Sequence, residues 1–220
     1  MNGVDESLET ALAQIRSADA RIQNQGVDGM IRIGSEAVSA LLPLLADTDS
    51  GVRSQATYAL ARIADPAATE AFRRGPRDPD ERVRAYAAQG LAAIGAPDAL
   101  QACVETLNDA PDELHLDRTP AVEALGAMGI DAVRPVLDRM MDADETTRLR
   151  AQRALEEIVN RRHGFRAGEG FPSRETEAAA SALWSANGGY DYAAGEVHRR
   201  DSVAKWRRWL EEAALSEPAK

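Results

Sequence analysis

The sequence repeats itself in register roughly every 30 residues, and this internal repeat constrains the fold more than any other feature. The segments DSGVRSQATYALARIADP from Asp49 and DERVRAYAAQGLAAIGAP from Asp80 place Asp, Val-Arg, Ala, Leu, Ile and Pro in the same order. The frame extends in both directions as three columns, offset by four and then three residues. They are Gly26, Ala56, Ala87, Ala121 and Ala151; Met30, Leu60, Leu91, Leu125 and Leu155; and Ile33, Ile63, Ile94, Met128 and Ile158. Offsets of three and four share one helical face, so each repeat is predicted to contain an amphipathic helix with a small-residue contact.

A second amphipathic helix precedes each of these. Its columns are Leu8, Val38, Ala68, Ala99 and Val133, followed four residues later by Leu12, Leu42, Phe72, Cys103 and Leu137. The repeat is therefore a pair of antiparallel helices, and such pairs bury their apolar faces by stacking. The two helices stand 26 residues apart from Ala99 to Leu125, against 22 from Val38 to Leu60. The within-repeat connection thus takes the insertions, and that edge is often the functional one.

A charged column runs through the same frame. Arg53, Arg84, Arg118 and Arg148 occupy equivalent positions, and Asp19, Asp49, Asp80 and Asp144 lie four residues before this column, with Leu114 in the fourth repeat. An Asp at a helix start caps the helix and complements its dipole. We expect the arginines to reach the Asp of an adjacent repeat in bidentate pairs. The predicted structural ladder is Asp49, Arg53, Asp80, Arg84, Asp144 and Arg148.

The Asp-x-x-Val-Arg-x-x-Ala-x-x-x-Leu-x-x-Ile pattern at Asp49 and Asp80 resembles HEAT repeats of the short bacterial, phycobilisome-lyase-like type. The resemblance implies an all-α, right-handed α-α superhelix of about six antiparallel helix pairs, the last one atypical. It covers five repeats in residues 1–160, with residues 161–220 as a C-terminal helical cap. Gly26 and Gly29 are expected to weaken one helix. Pro120 is expected either to delay the start of another helix until near Thr119 or to kink that helix.

The last 60 residues leave the repeat register but hold seven of the ten aromatic residues. Helices are predicted at 174–186 and about 200–214, the latter with Val203, Trp206, Leu210 and Ala213 on one face. Two interpretations stay open: a cap that covers the end of the stack, or a partner-binding site rich in Trp and Tyr. Trp209 lies off the apolar face and is the candidate partner aromatic.

In the family that the sequence resembles, the second helices line a concave surface. The outward positions of those helices supply the predicted partner-binding residues: Tyr58, Tyr86, Gln89, Glu123, Arg150 and Arg153. Arg150 and Arg153, together with Arg161, Arg162 and Arg166, form a local basic patch. This patch suggests an acidic protein segment or a small anion as the ligand.

Composition limits the classes of partner. A net charge of −10 argues against nucleic acid, whose phosphates require a basic face. The lone Cys103 excludes an internal disulfide and a CxxC pair. The acidic N-terminus does not read as a signal peptide, and no stretch of ~20 apolar residues stands out as a membrane span. A cytoplasmic location is expected, without membrane association.

No catalytic motif, metal-ligand spacing or cofactor-binding loop is recognisable in the sequence. We therefore predict no catalytic residue, no metal site and no cofactor. Asp109, Asp112, Glu113 and His115 gather in the longest connection, as an acid–base pair or a solvated acidic loop. The leading hypothesis is a non-enzymatic scaffold or adaptor that binds another protein. The alternative, implied by the resemblance, is a bilin-lyase-like or chromophore-protein assembly subunit.

Overall fold

The computed structural model describes the backbone of residues 3–216 and the side chains of residues 6–213. The ends of the two predicted domains, residues 1–2 and 217–220, lie outside this range. Within it the chain forms twelve α-helices and four short 3-10 helices. The α-helices are α1 Gly3–Ile15, α2 Ala20–Ile33, α3 Val38–Leu41, α4 Ser50–Ile63, α5 Thr69–Phe72, α6 Glu81–Ala93, α7 Ala99–Glu105, α8 Pro120–Met128, α9 Ile130–Arg139, α10 Glu145–Arg162, α11 Arg174–Ala186 and α12 Glu196–Ser216.

The chain divides into two compact units, Met1–Ala110 and Pro111–Lys220. The division falls in the longest within-repeat connection. The first unit stacks α2, α4 and α6 side by side, with α1 and α7 packed at its two ends. In the second unit α10 packs on α8, α9 and α11, and α12 packs on α9. The boundary predicted at residue 160 falls inside the second unit, because the C-terminal helices pack on the last repeat.

The first helices of the second and third repeats are not continuous helices. α3 lies between the 3-10 helices Gly34–Ala37 and Leu42–Ala46, and α5 between Pro66–Ala68 and Gly75–Arg77. Proline occupies the first turn of three of these 3-10 helices. Proline has no N–H to donate, so it interrupts the α-helical hydrogen bonds and leaves short, tighter turns.

Two of the three predicted columns of the second helices form the cores of the units. The third column is buried only at Ile158, whereas Ile33, Ile63, Ile94 and Met128 are half-buried. The middle column of the second helices is at most 1% exposed in every repeat, and the alanines of the small-residue column are 0% exposed. The first helix of the first repeat differs from prediction. Ala11 and Ile15 are its buried residues, whereas Leu8 and Leu12 are half-buried.

The two glycines of α2 have different structural roles. A Cβ on Gly26 would lie 2.7 Å from the backbone oxygen of Ala11 and from the backbone nitrogen of Ile15. A Cβ on Gly29 would meet only the side chain of Ala11, at 3.2 Å. Gly26 therefore lets α1 and α2 approach closely, and α2 runs unbroken for 14 residues despite the expected weakening.

One stretch, Ala20–Ala46, has the length and apolar composition of a membrane-crossing helix, which the sequence analysis did not pick out. In the structure it is not one straight helix. Gly34, with φ 75°, ends α2, and a 3-10 helix follows. Val27, Met30, Val38 and Leu41 from this stretch lie in the core of the first unit.

The turns before α4, α6 and α10 share one hydrogen-bonded device. Asp49, Asp80 and Asp144 cap the helices, as predicted. A second Asp, two residues earlier, accepts the backbone N–H of each capping Asp: these are Asp47, Asp78 and Asp142. The Arg four residues after each cap donates to two carbonyls of the same turn. Each turn is thus closed by the motif Asp-x-Asp-x-x-x-Arg, whose first Asp the sequence analysis missed.

The same arginines also link one repeat to the next. Arg53 makes a bidentate pair with Asp78 at 2.9 and 3.0 Å, and Arg84 does so with Asp109 at 2.8 and 2.8 Å. The sequence analysis expected the capping residues Asp49 and Asp80 to be the acceptors, and this was wrong. These carboxylates already accept backbone N–H groups of their own helices.

In the second unit the ladder arginine Arg148 has a different acceptor. The Nε atom of Arg148 donates to the carbonyl of Tyr192, so the C-terminal segment supplies the acceptor that the next repeat supplies elsewhere. Tyr190 is 2% exposed and donates its hydroxyl to the carbonyl of Met140. Trp206 is fully buried. α8 begins at Pro120 after a Thr119 cap, as predicted, because proline is tolerated in the first helical turn.

We predict that Arg84→Ala lowers the free energy of unfolding of the chain by about 2–3 kcal/mol, because it removes charge-assisted hydrogen bonds to Asp109 and to two carbonyls. Urea unfolding measures this. Arg82→Ala is the matched control, because Arg82 is exposed and its contact with Asp80 is long, at 3.5 Å. This change should alter stability by less than about 0.5 kcal/mol. Equal effects of the two changes would contradict the ladder.

Acid should weaken the link between Arg53 and Asp78. Burial opposes ionisation of Asp78, but hydrogen bonds from Arg53 and from the backbone of Asp80 outweigh it and lower the pKa of the carboxyl. Because the pKa of Asp78 is lower in the folded chain, its ionised carboxylate stabilises the fold at pH values above the unfolded-state pKa of about 3.9. This stabilisation is lost as the pH falls through the lower, folded-state pKa.

We therefore predict that Asp78→Asn, which keeps an oxygen acceptor for the backbone of Asp80, costs most stability at pH 7. The cost should shrink as the pH falls below about 4. Urea unfolding at pH 7, 4 and 3 would measure it. A cost that does not change with pH would show that the charge of Asp78 does not stabilise the fold.

Alanine substitution should separate the two glycines of α2. Gly26→Ala forces backbone apart and is predicted to lower the free energy of unfolding by about 1–3 kcal/mol. Gly29→Ala meets one methyl group and gains helix propensity, so it should be close to neutral or stabilising by up to about 1 kcal/mol. Thermal unfolding followed by circular dichroism compares the two. A Gly26→Ala protein as stable as the wild type would rule out the close helix contact.

Candidate functional site

Two tyrosines meet on the surface of the first unit. The ring centres of Tyr58 on α4 and Tyr86 on α6 lie 5.1 Å apart, with ring planes tilted by 57°. Both side chains are half-buried. Arg62 donates to the hydroxyl of Tyr58 at 3.1 Å, and its guanidinium lies 5.8 Å from the ring centre. Burial raises the pKa of Tyr86, so its hydroxyl stays neutral and able to donate.

The repeat frame explains why these rings meet. Tyr58 lies two residues after Ala56, and Tyr86 lies one residue before Ala87. Both alanines are completely buried, so α4 and α6 pack side by side and their outward positions become neighbours. The only other aromatic in residues 1–160, Phe72, is buried in the core.

Two further predicted partner-binding residues, Gln89 and Glu123, lie in different units. Gln89 is half-buried one turn after Tyr86 on α6. Glu123 is exposed on α8 in the second unit. The tyrosine pair and Gln89 therefore form the part of the predicted surface that lies in the first unit.

Arg150 is not on the surface, contrary to prediction. Its side chain sits in the second unit at 6% exposure, and its Nε atom donates to the carbonyl of Leu116 at 2.9 Å. A buried guanidinium must satisfy its donors inside the protein. Arg150 therefore holds the connection before α8 and does not present its charge to a partner.

Arg153 is surrounded by carboxylates. Asp117 lies 3.6 Å away, Glu156 3.1 Å and Glu157 3.3 Å. Three acidic groups around one guanidinium remove its attraction for an acidic segment. Together with the burial of Arg150, this breaks up the predicted basic patch.

Two of the remaining patch arginines come together with Trp209. Arg161, Arg162 and Trp209 line a cavity of about 410 Å³, with Phe165 and the ends of α8, α9 and α10. The guanidinium of Arg162 lies 5.7 Å from the centre of the Trp209 ring. Trp209 also packs edge-on against Trp206, at 5.3 Å and 82°. The candidate aromatic Trp209 thus lies partly in the packed cluster and partly in a cavity wall.

The longest connection brings together only part of the acid–base group that the sequence left open, the pair Asp112 and His115. Asp109 is bound to Arg84 in the first unit. In the second unit Asp112 accepts the N–H groups of Leu114 and His115, and its Oδ1 lies 3.3 Å from the His115 ring. The N–H of Leu114, helped by His115, lowers the pKa of Asp112.

The same connection exposes apolar side chains that sequence reasoning missed. Leu114 is 87% exposed and Leu116 is 62% exposed. The signal was available in the sequence, since two leucines flank His115 in a loop outside the repeat frame.

Cys103 lies in the core, where it donates weakly to the carbonyl of Ala88 at 3.6 Å, and burial raises the pKa of its thiol to about 12. Among the side chains that the structure describes, no three His, Cys, Asp or Glu residues are grouped so as to hold a metal ion.

Comparison with known proteins finds a matching family model and several similar solved structures. A family model for HEAT repeats matches residues 8–76 and 75–156. Among curated proteins, none matches the sequence significantly. Similar solved structures include a designed armadillo repeat protein, 20% identical over 90% of this chain and 99% of that chain, with a TM-score of 0.43. Another is the complex of CpcE and CpcF of phycocyanin lyase from Nostoc sp., 20% identical over 96% of this chain and 89% of that chain, with a TM-score of 0.48.

The family match covers the same residues in which the repeat columns recur, and it extends over more than half of the 220 residues. The structure places those columns on the facing sides of stacked helices, as a repeat of helix pairs requires. This chain belongs to the family of HEAT repeat proteins.

Proposed function

We propose that this chain is a non-enzymatic scaffold that binds another protein through the surface of α4 and α6 around Tyr58 and Tyr86. The observation that carries the proposal is the ring pair itself. Two tyrosines that contact each other on adjacent helices, both partly exposed, form a rigid apolar area with hydroxyl groups at its edge.

Tyrosine suits such a role for physical reasons. It supplies a large contact area at a small cost in side-chain entropy, and it is enriched among the residues that dominate binding energy. The pair is fixed before binding, because each ring packs on the other and Arg62 holds the hydroxyl of Tyr58. A preformed contact avoids part of the ordering cost of association.

Polar groups border the ring pair. Gln55 lies beside Tyr58 on α4, where its amide is 3.5 Å from the side-chain oxygens of Gln23 and Asn24. Gln89 and Arg62 lie on the other sides. An aromatic centre with a polar rim is the usual anatomy of a protein–protein interface. An acidic partner segment is not part of this proposal, because Arg150 is buried and Arg153 is bound to carboxylates.

The bilin-lyase-like alternative has no specific observation in its favour among the described side chains. It is kept as one outcome of the experiment, since a bound tetrapyrrole would absorb visible light.

We predict that Tyr58→Ala combined with Tyr86→Ala reduces recovery of the partner by roughly tenfold or more, because it removes the centre of the interface. The measurement is affinity purification of the tagged, crosslinked chain from its native host. Protein mass spectrometry and an absorbance scan of the eluate provide the readouts. The contact between the two rings contributes about 0.5–1.5 kcal/mol to stability beyond the apolar area that each half-buried ring covers, so circular dichroism must show that the double variant is folded.

Ile22→Ala combined with Val197→Ala is the control, because it also removes two exposed apolar side chains but leaves the tyrosines intact. Equal loss of the partner in both variants, or no loss in either, would refute the site. An eluate with a coloured ligand and no stoichiometric protein would refute the scaffold and favour the lyase-like alternative.

A further inference from the structure

The cavity beside Trp209 has the composition of a small-molecule site. Its volume of about 410 Å³ falls within the range of roughly 300–1,000 Å³ that is usual for such sites. The walls include the rings of Phe165 and Trp209 and the side chains of Ile130 and Ile158, and the cations are Arg161 and Arg162. Mostly apolar walls with a few convergent polar groups are the common pattern of a ligand pocket.

The aromatic wall is held in place by the surrounding structure. Trp206, which is fully buried, contacts Trp209 edge-on at 5.3 Å and Trp184 at 5.5 Å. The guanidinium of Arg162 lies over the ring of Trp209 at 5.7 Å. The indole is therefore fixed before any ligand arrives, and a flat apolar molecule would pack on it without first ordering it.

The arginines in the cavity wall favour a ligand with a negative group. The Nε atom of Arg161 lies 3.6 Å from a carboxylate oxygen of Glu157, while its side chain remains 35% exposed. A guanidinium has further N–H donors on its terminal nitrogens, and these suit a planar anion.

We propose that this cavity binds a small molecule with a flat apolar body and one carboxylate-like or sulfonate-like group. The body packs between Trp209, Phe165 and the two isoleucines, and the anion contacts Arg161 and Arg162. The site lies in the second unit and is separate from the tyrosine pair of the first unit. If no ligand binds in this cavity, the proposed scaffold function is not affected.

Two fluorescent probes test the proposal: 8-anilinonaphthalene-1-sulfonate, which is anionic, and N-phenyl-1-naphthylamine, which has a similar body without the charge. We expect one anionic probe to bind per folded chain, with energy transfer from tryptophan. Arg161→Gln with Arg162→Gln should weaken the anionic probe by roughly tenfold and the neutral probe by less than about twofold. Trp209→Leu should weaken both probes.

Arg166→Gln with Arg174→Gln is the matched control. It removes the same charge from the same region, but these exposed arginines lie outside the cavity wall. Equal weakening in the control would mean that net charge alone attracts the probe, and this would overturn the proposal. Binding that Trp209→Leu leaves unchanged would overturn it as well. Circular dichroism of each variant confirms that the fold is intact.

Competition distinguishes a free small molecule from a peptide with the same chemistry. 1-Naphthoate should displace the anionic probe, and its neutral amide should displace it at least about tenfold more weakly. A tetrapeptide that ends in phenylalanine with a free carboxyl group should compete less well than 1-naphthoate. Better competition by the peptide would overturn the small-molecule assignment and point to a protein carboxyl terminus.

Discussion

The arginine at the start of α4 and of α6 fixes how one helix pair follows another. Arg53 and Arg84 each bind two carbonyls of their own turn and a bidentate aspartate of the following repeat. One planar cation thereby sets both the shape of a turn and the distance to the next turn. Arg148 makes the same turn contacts but reaches the carbonyl of Tyr192. The C-terminal segment thus supplies the acceptor that a further repeat would supply.

Helix contact through small residues determines which surface residues meet. Because Ala56 and Ala87 are completely buried, α4 and α6 lie close enough for outward side chains from different repeats to touch. Tyr58 and Tyr86 come from different positions of the repeat, yet their rings are 5.1 Å apart. Neither tyrosine alone distinguishes this surface. The pair does, and the pair exists only through the packing of the core beneath it.

The predicted basic patch does not form in the structure. The five arginines at the end of the repeat region look like one basic patch in the sequence. In the structure Arg150 holds a loop carbonyl, Arg153 is bound to carboxylates, and Arg166 lies near Glu169. Only Arg161 and Arg162 reach the cavity of Trp209. The position of each guanidinium depends on which acceptors its N–H groups can reach, and several of these acceptors lie in segments distant in sequence.

The sequence by itself determined the helix pairs, their register, the small-residue and middle columns of the second helices and the caps, including the late start of α8 after Thr119. Those features follow from periodicity and local hydrogen bonding, which operate over a few residues. Tertiary structure decided the acceptors of the ladder, the burial of Arg150, the broken first helices around Pro43 and Pro66, and the grouping of Trp209 with two arginines. Each of these depends on desolvation and on contacts between residues far apart in the chain, which a periodic pattern does not encode.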